Sequence, residues 1–143
     1  MQYDLKELIS YEEMKAQYFL LQQLNPKLQQ NDYETMLPDM IRNGYRQVVV
    51  LENGAVTGMS GFWINTKLYC GKYIEMDNVV TDAAHRNKGI GKILCDWITQ
   101  KGRAEGCKHI LLDAYVINRD AHRFYFREGF FIEGFHMNKK IAD

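Results

Sequence analysis

Asn53-Gly54 stands between two β-rich runs, Arg46 to Leu51 and Ala55 to Asn65, and constrains this chain more than any other dipeptide in it. Both residues accept positive φ, so an Asn-Gly pair between alternating apolar residues closes a tight two-residue hairpin. Two antiparallel strands therefore sit mid-chain. A third, Tyr73 to Thr81, follows a turn at Gly71. After it the apolar period lengthens to about 3.6 over Gly89 to Ala104, a helix closed by Glu105-Gly106. His109 to Val116 then reads as a strand, Asn118 to Arg127 as a short helix with Ala121, Phe124 and Tyr125 at helical spacing, and Phe130 to Met137 as a last strand.

Upstream, Tyr3 to Ile9 has the partial alternation of an edge strand. Ser10 with Glu13 three residues on predicts a capped helix from Tyr11 to Leu24, stopped by Asn25-Pro26. A second helix starts near Asn31 or Asp32 and ends at Asn43-Gly44, with Pro38 placed to kink or split it. The order β-α-α-β-β-β-α-β-α-β predicts an α/β chain built on a mixed sheet with helices on both faces.

At 143 residues and 46% apolar content the chain suits one domain, residues 1–143, with a sizeable core. Eighteen basic residues balance eighteen acidic ones, which argues against a nucleic-acid footprint over the whole surface and leaves room for a local basic pocket. Cys70, Cys95 and Cys107 are odd in number and form no ligand cluster, so reduced thiols and no metal are expected. No signal-like or membrane-spanning run is present in the sequence, which predicts a soluble, cytoplasmic protein with no membrane partner.

Arg86-Asn87-Lys88-Gly89-Ile90-Gly91 is a basic turn with two glycines between a strand and a helix. Successive backbone N–H groups in such a turn converge, and the following helix adds its unpaired first donors and the positive end of its dipole. An anionic ligand fits there; so does an ordinary strand-to-helix turn. Two nucleotide motifs fail. Gly91-Lys92 is followed by Ile93 where a Walker loop needs Ser or Thr, and Leu94 stands where a dinucleotide fingerprint needs glycine.

Three ordered segments together resemble the GNAT superfamily of acyl-CoA-dependent N-acetyltransferases. Arg86 to Gly91 is similar to the family's pyrophosphate motif, and Ile74 to Thr81 to the strand that runs into it. Asn118 to Tyr125 followed by Gly129-Phe130 resembles the family's Asn, Ala, Phe-Tyr, Gly-Phe signature. The match departs at Asn87 and Lys88, where many members carry glycine, and at Ala83, where proline is frequent. The resemblance implies a GNAT-like, mostly antiparallel twisted sheet and acetyl-CoA as cosubstrate. Arg86, Asn87, Lys88, Gly89, Ile90, Gly91 and Lys92 would then hold the pyrophosphate, backbone groups of Val79, Val80 and Thr81 the pantetheine arm, and Asn118 a further part of the cofactor. It is also compatible with a homodimer.

Acetyl transfer to an amine needs a neutral nucleophile, and an amine of pKa about 10.4 is almost wholly protonated near neutral pH. Glu75 and Asp77, two apart on one strand, share a face and are the candidate bases. By distance from Arg86, Glu75 matches the base position of some family members and Asp77 that of others; the longer Glu75 is preferred. The bland reading of the pair is hydrated surface carboxylates. Tyr125 packs beside Phe124 by spacing alone, but the resemblance makes it the acid that protonates the departing thiolate. Cys95 and Cys107 read as buried thiols, His85 and His122 as solvated residues, Trp63 and Trp97 as packing anchors, with Trp63 also placed to face an acceptor cleft. The expected function is acetyl transfer from acetyl-CoA to a small-molecule primary amine by direct attack in a ternary complex. A protein lysine or N-terminal acetyltransferase and a non-catalytic acyl-CoA-binding module are the alternatives.

Overall fold

A computed structural model describes residues 2–143. It divides into two compact units, the first ending at Leu112 and the second spanning Asp113–Asp143. In the first, β1 (Tyr3–Leu8), α1 (Tyr11–Lys15), α2 (Tyr18–Leu24) and α3 (Gln30–Arg42) precede β2 (Arg46–Glu52), β3 (Ala55–Lys67) and β4 (Gly71–Thr81). A 3-10 turn, Ala83–His85, leads to α4 (Ile90–Ala104) and β5 (His109–Leu112). The second unit holds α5 (Arg119–Arg127).

The five strands are ordered β1-β2-β3-β4-β5, antiparallel except for the parallel β4–β5 pair. Asn53 and Gly54 take φ of 52° and 81°, the left-handed pair that the β2–β3 hairpin requires, and Glu52 pairs directly with Ala55. Helices cover both faces. Val49, Met59 and Val80 join Met14, Leu20, Leu37 and Tyr45 in one core beneath α1–α3. On the other face α4 sets Trp97 against Phe62, with rings 5.6 Å apart, and Cys95 against Met76. Gly102 of α4 lies so close to Ile74 that a Cβ would stand 2.9 Å from its Cγ2.

The helix expected over Tyr11 to Leu24 is two helices. Ser10 caps α1 with the reciprocal Ser10–Glu13 box, but the Gln17 side chain takes the Glu13 carbonyl at 3.1 Å while the Gln17 N–H turns to Met14 at 3.0 Å. The i→i−4 ladder therefore breaks at Gln17. Lys6 and Ser10 hold the Glu13 carboxyl down to about 2. Pro38, by contrast, does not split α3. Its missing N–H leaves the Glu34 carbonyl without a helical donor, and the Tyr11 hydroxyl supplies one at 3.3 Å.

Two strand expectations are corrected. β5 ends at Leu112, not Val116, because the parallel ladder stops where Leu112 faces Met76. Phe130 to Met137 forms no strand: among the described residues it has no ladder partner, and an extended segment without one is not a strand.

Gly61 lies under the Tyr45 ring, where a Cβ would collide with the Tyr45 hydroxyl and stand 2.6 Å from the Asp77 carbonyl oxygen. Gly61→Ala is expected to lower stability by about 1–3 kcal/mol through overpacking. Urea unfolding checks this, and a midpoint equal to that of the wild type refutes it.

Candidate active site

β4 carries both predicted carboxylates on the face turned toward α1–α3, and both are half-buried. Trp63 sits directly across the ladder from Glu75. Its indole Nε1–H donates to Asp77 Oδ2 at 3.0 Å, and its ring lies 5.0 Å from that of Tyr45. The structure thus brings Glu75, Asp77 and Trp63 together. Asp77 is oriented by a neutral donor on one of its oxygens.

Just beyond Asp77 the strand bulges. Gly61 pairs with Asp77 and Met59 with Val80, so Ser60 alone opposes both Asn78 and Val79. Asn78 takes φ of 61°, and its side-chain Oδ1 accepts the Tyr45 hydroxyl at 2.9 Å. The parallel ladder to β5 has already ended at Met76. From Asp77 to Thr81, β4 is therefore paired on its β3 side only among the described residues. This bulge was missed in the sequence. The one available signal was asparagine inside an apolar β run, since Asn is the side chain best able to take the left-handed region.

Past β4 the chain is clamped. The Asp82 N–H donates to the Thr57 carbonyl at 2.9 Å. Gln23 of α2 donates through Nε2 to Asp82 Oδ1 and accepts the Ala83 N–H through Oε1, each at 2.9 Å. His85 places Nδ1 3.0 Å from Asp82 Oδ2 and Nε2 4.0 Å from Glu52 Oε2, so it is tied to carboxylates rather than simply solvated. The Gln23 hydrogen bond, and after it that of His85, holds the Asp82 carboxyl below its ordinary value.

Arg86, Asn87, Lys88 and Gly89 are exposed, and two of the four are left-handed, Asn87 at φ 64° and Gly89 at φ 80°. Gly89 is the N-cap of α4 and contributes no side-chain cap. The first helical bond runs from the Ile93 N–H to the Gly89 carbonyl at 3.2 Å, so the amides of Ile90 and Gly91 precede the helical ladder. A Cβ on Gly89 would meet nothing within 4 Å. Ile90 is buried and packs this helix end on the sheet at Gly58, where a Cβ would stand 2.6 Å from Ile90 Cγ2. A left-handed turn opening onto an uncapped helix N-terminus suits a pyrophosphate, as its donors are backbone groups and the dipole has the right sign.

In the second unit, Asn118 Oδ1 caps α5 by accepting the Ala121 N–H at 3.2 Å. Gly129, at φ 95°, closes the helix: its N–H reaches the Phe126 carbonyl and the Phe130 N–H the Tyr125 carbonyl. The Tyr125 ring lies edge-on to Phe124 and Phe130, at 5.2 and 5.5 Å. Taken locally, the Asn, Phe-Tyr, Gly-Phe signature is a helix with both ends capped.

Cys95 is buried against Met76 Sδ, and desolvation pushes the Cys107 thiol up, away from nucleophilic character. No helix among the described residues is long and apolar enough to cross a membrane.

A family model described as "Acetyltransferase (GNAT) family" matches residues 10–130. The chain is 29% identical over 139 residues to the uncharacterized N-acetyltransferase YhdJ of Bacillus subtilis (strain 168), covering 96% of this chain and 98% of that one. It is 32% identical over 94 residues to the aminoalkylphosphonate N-acetyltransferase of Salmonella typhimurium, covering 65% of this chain and 61% of that protein. Among solved structures, the aminoglycoside N-acetyltransferase AAC(6')-Iy in complex with CoA shares the fold. Its TM-score is 0.81 at 15% identity, over 99% of this chain and 96% of that one.

Because the folded Asp82 carboxyl lies below its ordinary value of 3.8, the stability it contributes is present above that value and is lost as pH falls through the folded one. Asp82→Asn is expected to lower the urea midpoint near neutral pH, with the gap to the wild type closing on acidification. A pH-independent gap overturns this linkage.

Proposed function

The chain belongs to the GNAT acetyltransferase family and is an acetyl-transferring enzyme; from that premise we propose that its acceptor is a primary amine on a small molecule. The amine attacks the acetyl group of acetyl-CoA directly in a ternary complex. One observation carries the reading: the carboxylate pair on β4 is followed at once by a bulge, a backbone edge outside the β5 ladder, and the uncapped N-terminus of α4. Base, acyl-binding backbone and anion cradle thus follow one another along a single stretch of chain.

In this reading the amides of Gly89, Ile90, Gly91 and Lys92 bind the pyrophosphate, with Arg86, Asn87 and Lys88 adding charge and donors. Backbone groups of Val79, Val80 and Thr81 align the pantetheine arm in the manner of an added strand, and one N–H at Val79 or Val80 holds the thioester oxygen. Glu75 takes the proton of the attacking amine, its side chain being longer than that of Asp77, which accepts the Trp63 indole and serves to orient. The new C–N bond forms as the C–S bond breaks, and the Tyr125 hydroxyl protonates the leaving sulfur. For Tyr125 and Asn118 the assignment rests on the family signature, and it treats residues 1–143 as one acetyltransferase domain. Free cysteines fit a reducing cytoplasm, and a homodimer belongs to the reading by family resemblance.

Similarity to an aminoalkylphosphonate acetyltransferase supports a small acceptor over a peptide. Thioester cleavage measured over aminoalkylphosphonates, aminoglycosides, polyamines and N-terminal peptides tests this. Turnover with a small amine is expected; turnover with peptides alone overturns the acceptor class, and binding of acetyl-CoA without turnover overturns the catalytic reading.

Two variants probe the parts. Glu75→Gln should lower kcat by about 10²-fold or more and remove the acidic limb of the pH–rate profile, whereas an unchanged profile refutes the base assignment. Gly89→Ala, strained at positive φ, should weaken acetyl-CoA binding about tenfold by calorimetry, with Gly89→Asn closer to the wild type. Equal affinity in Gly89→Ala refutes the cradle.

A further inference from the structure

A line of hydrogen bonds crosses the core beneath α1–α3 and ends at the β4 bulge. The Tyr33 hydroxyl donates to the Met14 carbonyl at 2.7 Å. Gln47 Nε2 donates to the Tyr33 oxygen at 3.0 Å and to the Tyr45 oxygen at 3.3 Å. With both amide protons of Gln47 committed, the single proton of Tyr45 goes to Asn78 Oδ1, at 2.9 Å. Burial pushes the Tyr33 phenol up to about 12 and that of Tyr45 well above its ordinary value. Both phenols therefore remain donors throughout any working pH range.

Core stability does not account for this line. Tyr45 and Gln47 are fully buried, and Gln47 Oε1 has no hydrogen-bond partner among the described residues, a cost that an apolar residue would avoid. Space is also given up for it: only glycine at position 61 lets the Tyr45 hydroxyl reach across β3 to Asn78. The hydroxyl ends on the residue that bears the left-handed backbone of the bulge.

We propose that Tyr45 is a positioning residue for the acetyl donor: its hydroxyl, aligned by Gln47 and Tyr33, locks Asn78 left-handed and so fixes the bulge that presents the Val79 and Val80 backbone. The proposal rests on the functional reading above, in which that backbone receives the thioester arm. Tyr45 touches neither substrate; it acts through Asn78.

Tyr45→Phe keeps the ring in its niche and deletes the donor. Backbone ¹⁵N order parameters at Asn78 and Val79 should fall from about 0.85 toward 0.6 while those of Val48 to Val50 hold. The KM for acetyl-CoA should rise about fivefold, the worth of one neutral hydrogen bond, with the amine KM unchanged. Asn78→Ala, which leaves Tyr45 intact, should move the same two readouts. Asn78→Gly takes the left-handed conformation without an anchor, and Tyr45→Phe added to it should have no further effect on the acetyl-CoA KM. Wild-type order parameters and KM in Tyr45→Phe, or an equal loss in both backgrounds, overturn the proposal. A wild-type protein that binds no acetyl-CoA would overturn the functional reading instead, and the order parameters would still decide whether Tyr45 holds the bulge.

Discussion

The extra residue in β4 governs which groups can meet on the sheet. A strand alternates faces with period two, so Tyr73, Glu75 and Asp77 share the side of α1–α3, and in a regular strand Val79 and Thr81 would follow them. With Asn78 and Val79 both opposite Ser60, the parity shifts by one. Val80 then completes the apolar core beneath α1–α3, while Thr81 passes to the α4 side across from Gly58. Carboxylates and core residues can thus alternate in order along one face, and the backbone between them is released from its regular pairing. Glu75, Asp77 and the backbone that leads to the α4 turn are placed relative to that shift.

A left-handed asparagine costs about 1–2 kcal/mol that the surroundings must offset, and tyrosines supply the offset here and nearby. Tyr45 reaches Asn78, Tyr33 the Met14 carbonyl, Tyr18 the Leu28 carbonyl at 2.6 Å, and Tyr11 the Glu34 carbonyl that Pro38 leaves without its helical donor. In each case an aromatic ring lies in or against the core cluster while its hydroxyl donates to a polar group beside it, and at Glu34 that group has lost its helical donor. The small helices α1 and α2 are too short to be stable alone. They are held by these rings and by Gln23, which ties α2 to the turn after β4.

Local chemistry decided how much was legible in the sequence. Asn53-Gly54, the Ser10–Glu13 box, Gly89 at the start of α4 and Gly106 at its end each act within a few residues, and each was found where the pattern put it. The break at Gln17 and the continuity of α3 through Pro38 depend instead on side chains that compete for, or replace, backbone donors, as Gln17 does locally and Tyr11 does from 23 residues away. The bulge at Asn78 depends on Ser60, Gly61 and Tyr45, none of which is near it in sequence. Phe130 to Met137 has the aromatic content of a strand but no ladder partner among the described residues. Hydrophobic period reports what a segment can do; pairing decides whether it does so.

The same division explains why the donor half of the reaction is the better specified. Consecutive amides of one turn can bind a pyrophosphate, so in the proposed reading six adjacent residues suffice to mark the site, with Gly89 supplying a left-handed φ and an open approach. An acceptor amine is selected by side chains that separate elements bring together. Trp63 from β3 and the Glu75–Asp77 pair from β4 are one such set, linked by the indole bond to Asp77. The indole orients Asp77 toward β3, and in the proposed reading it is Glu75 that meets the amine. Acceptor preference should therefore follow residues facing Glu75 more closely than any change in the Arg86 to Gly91 turn.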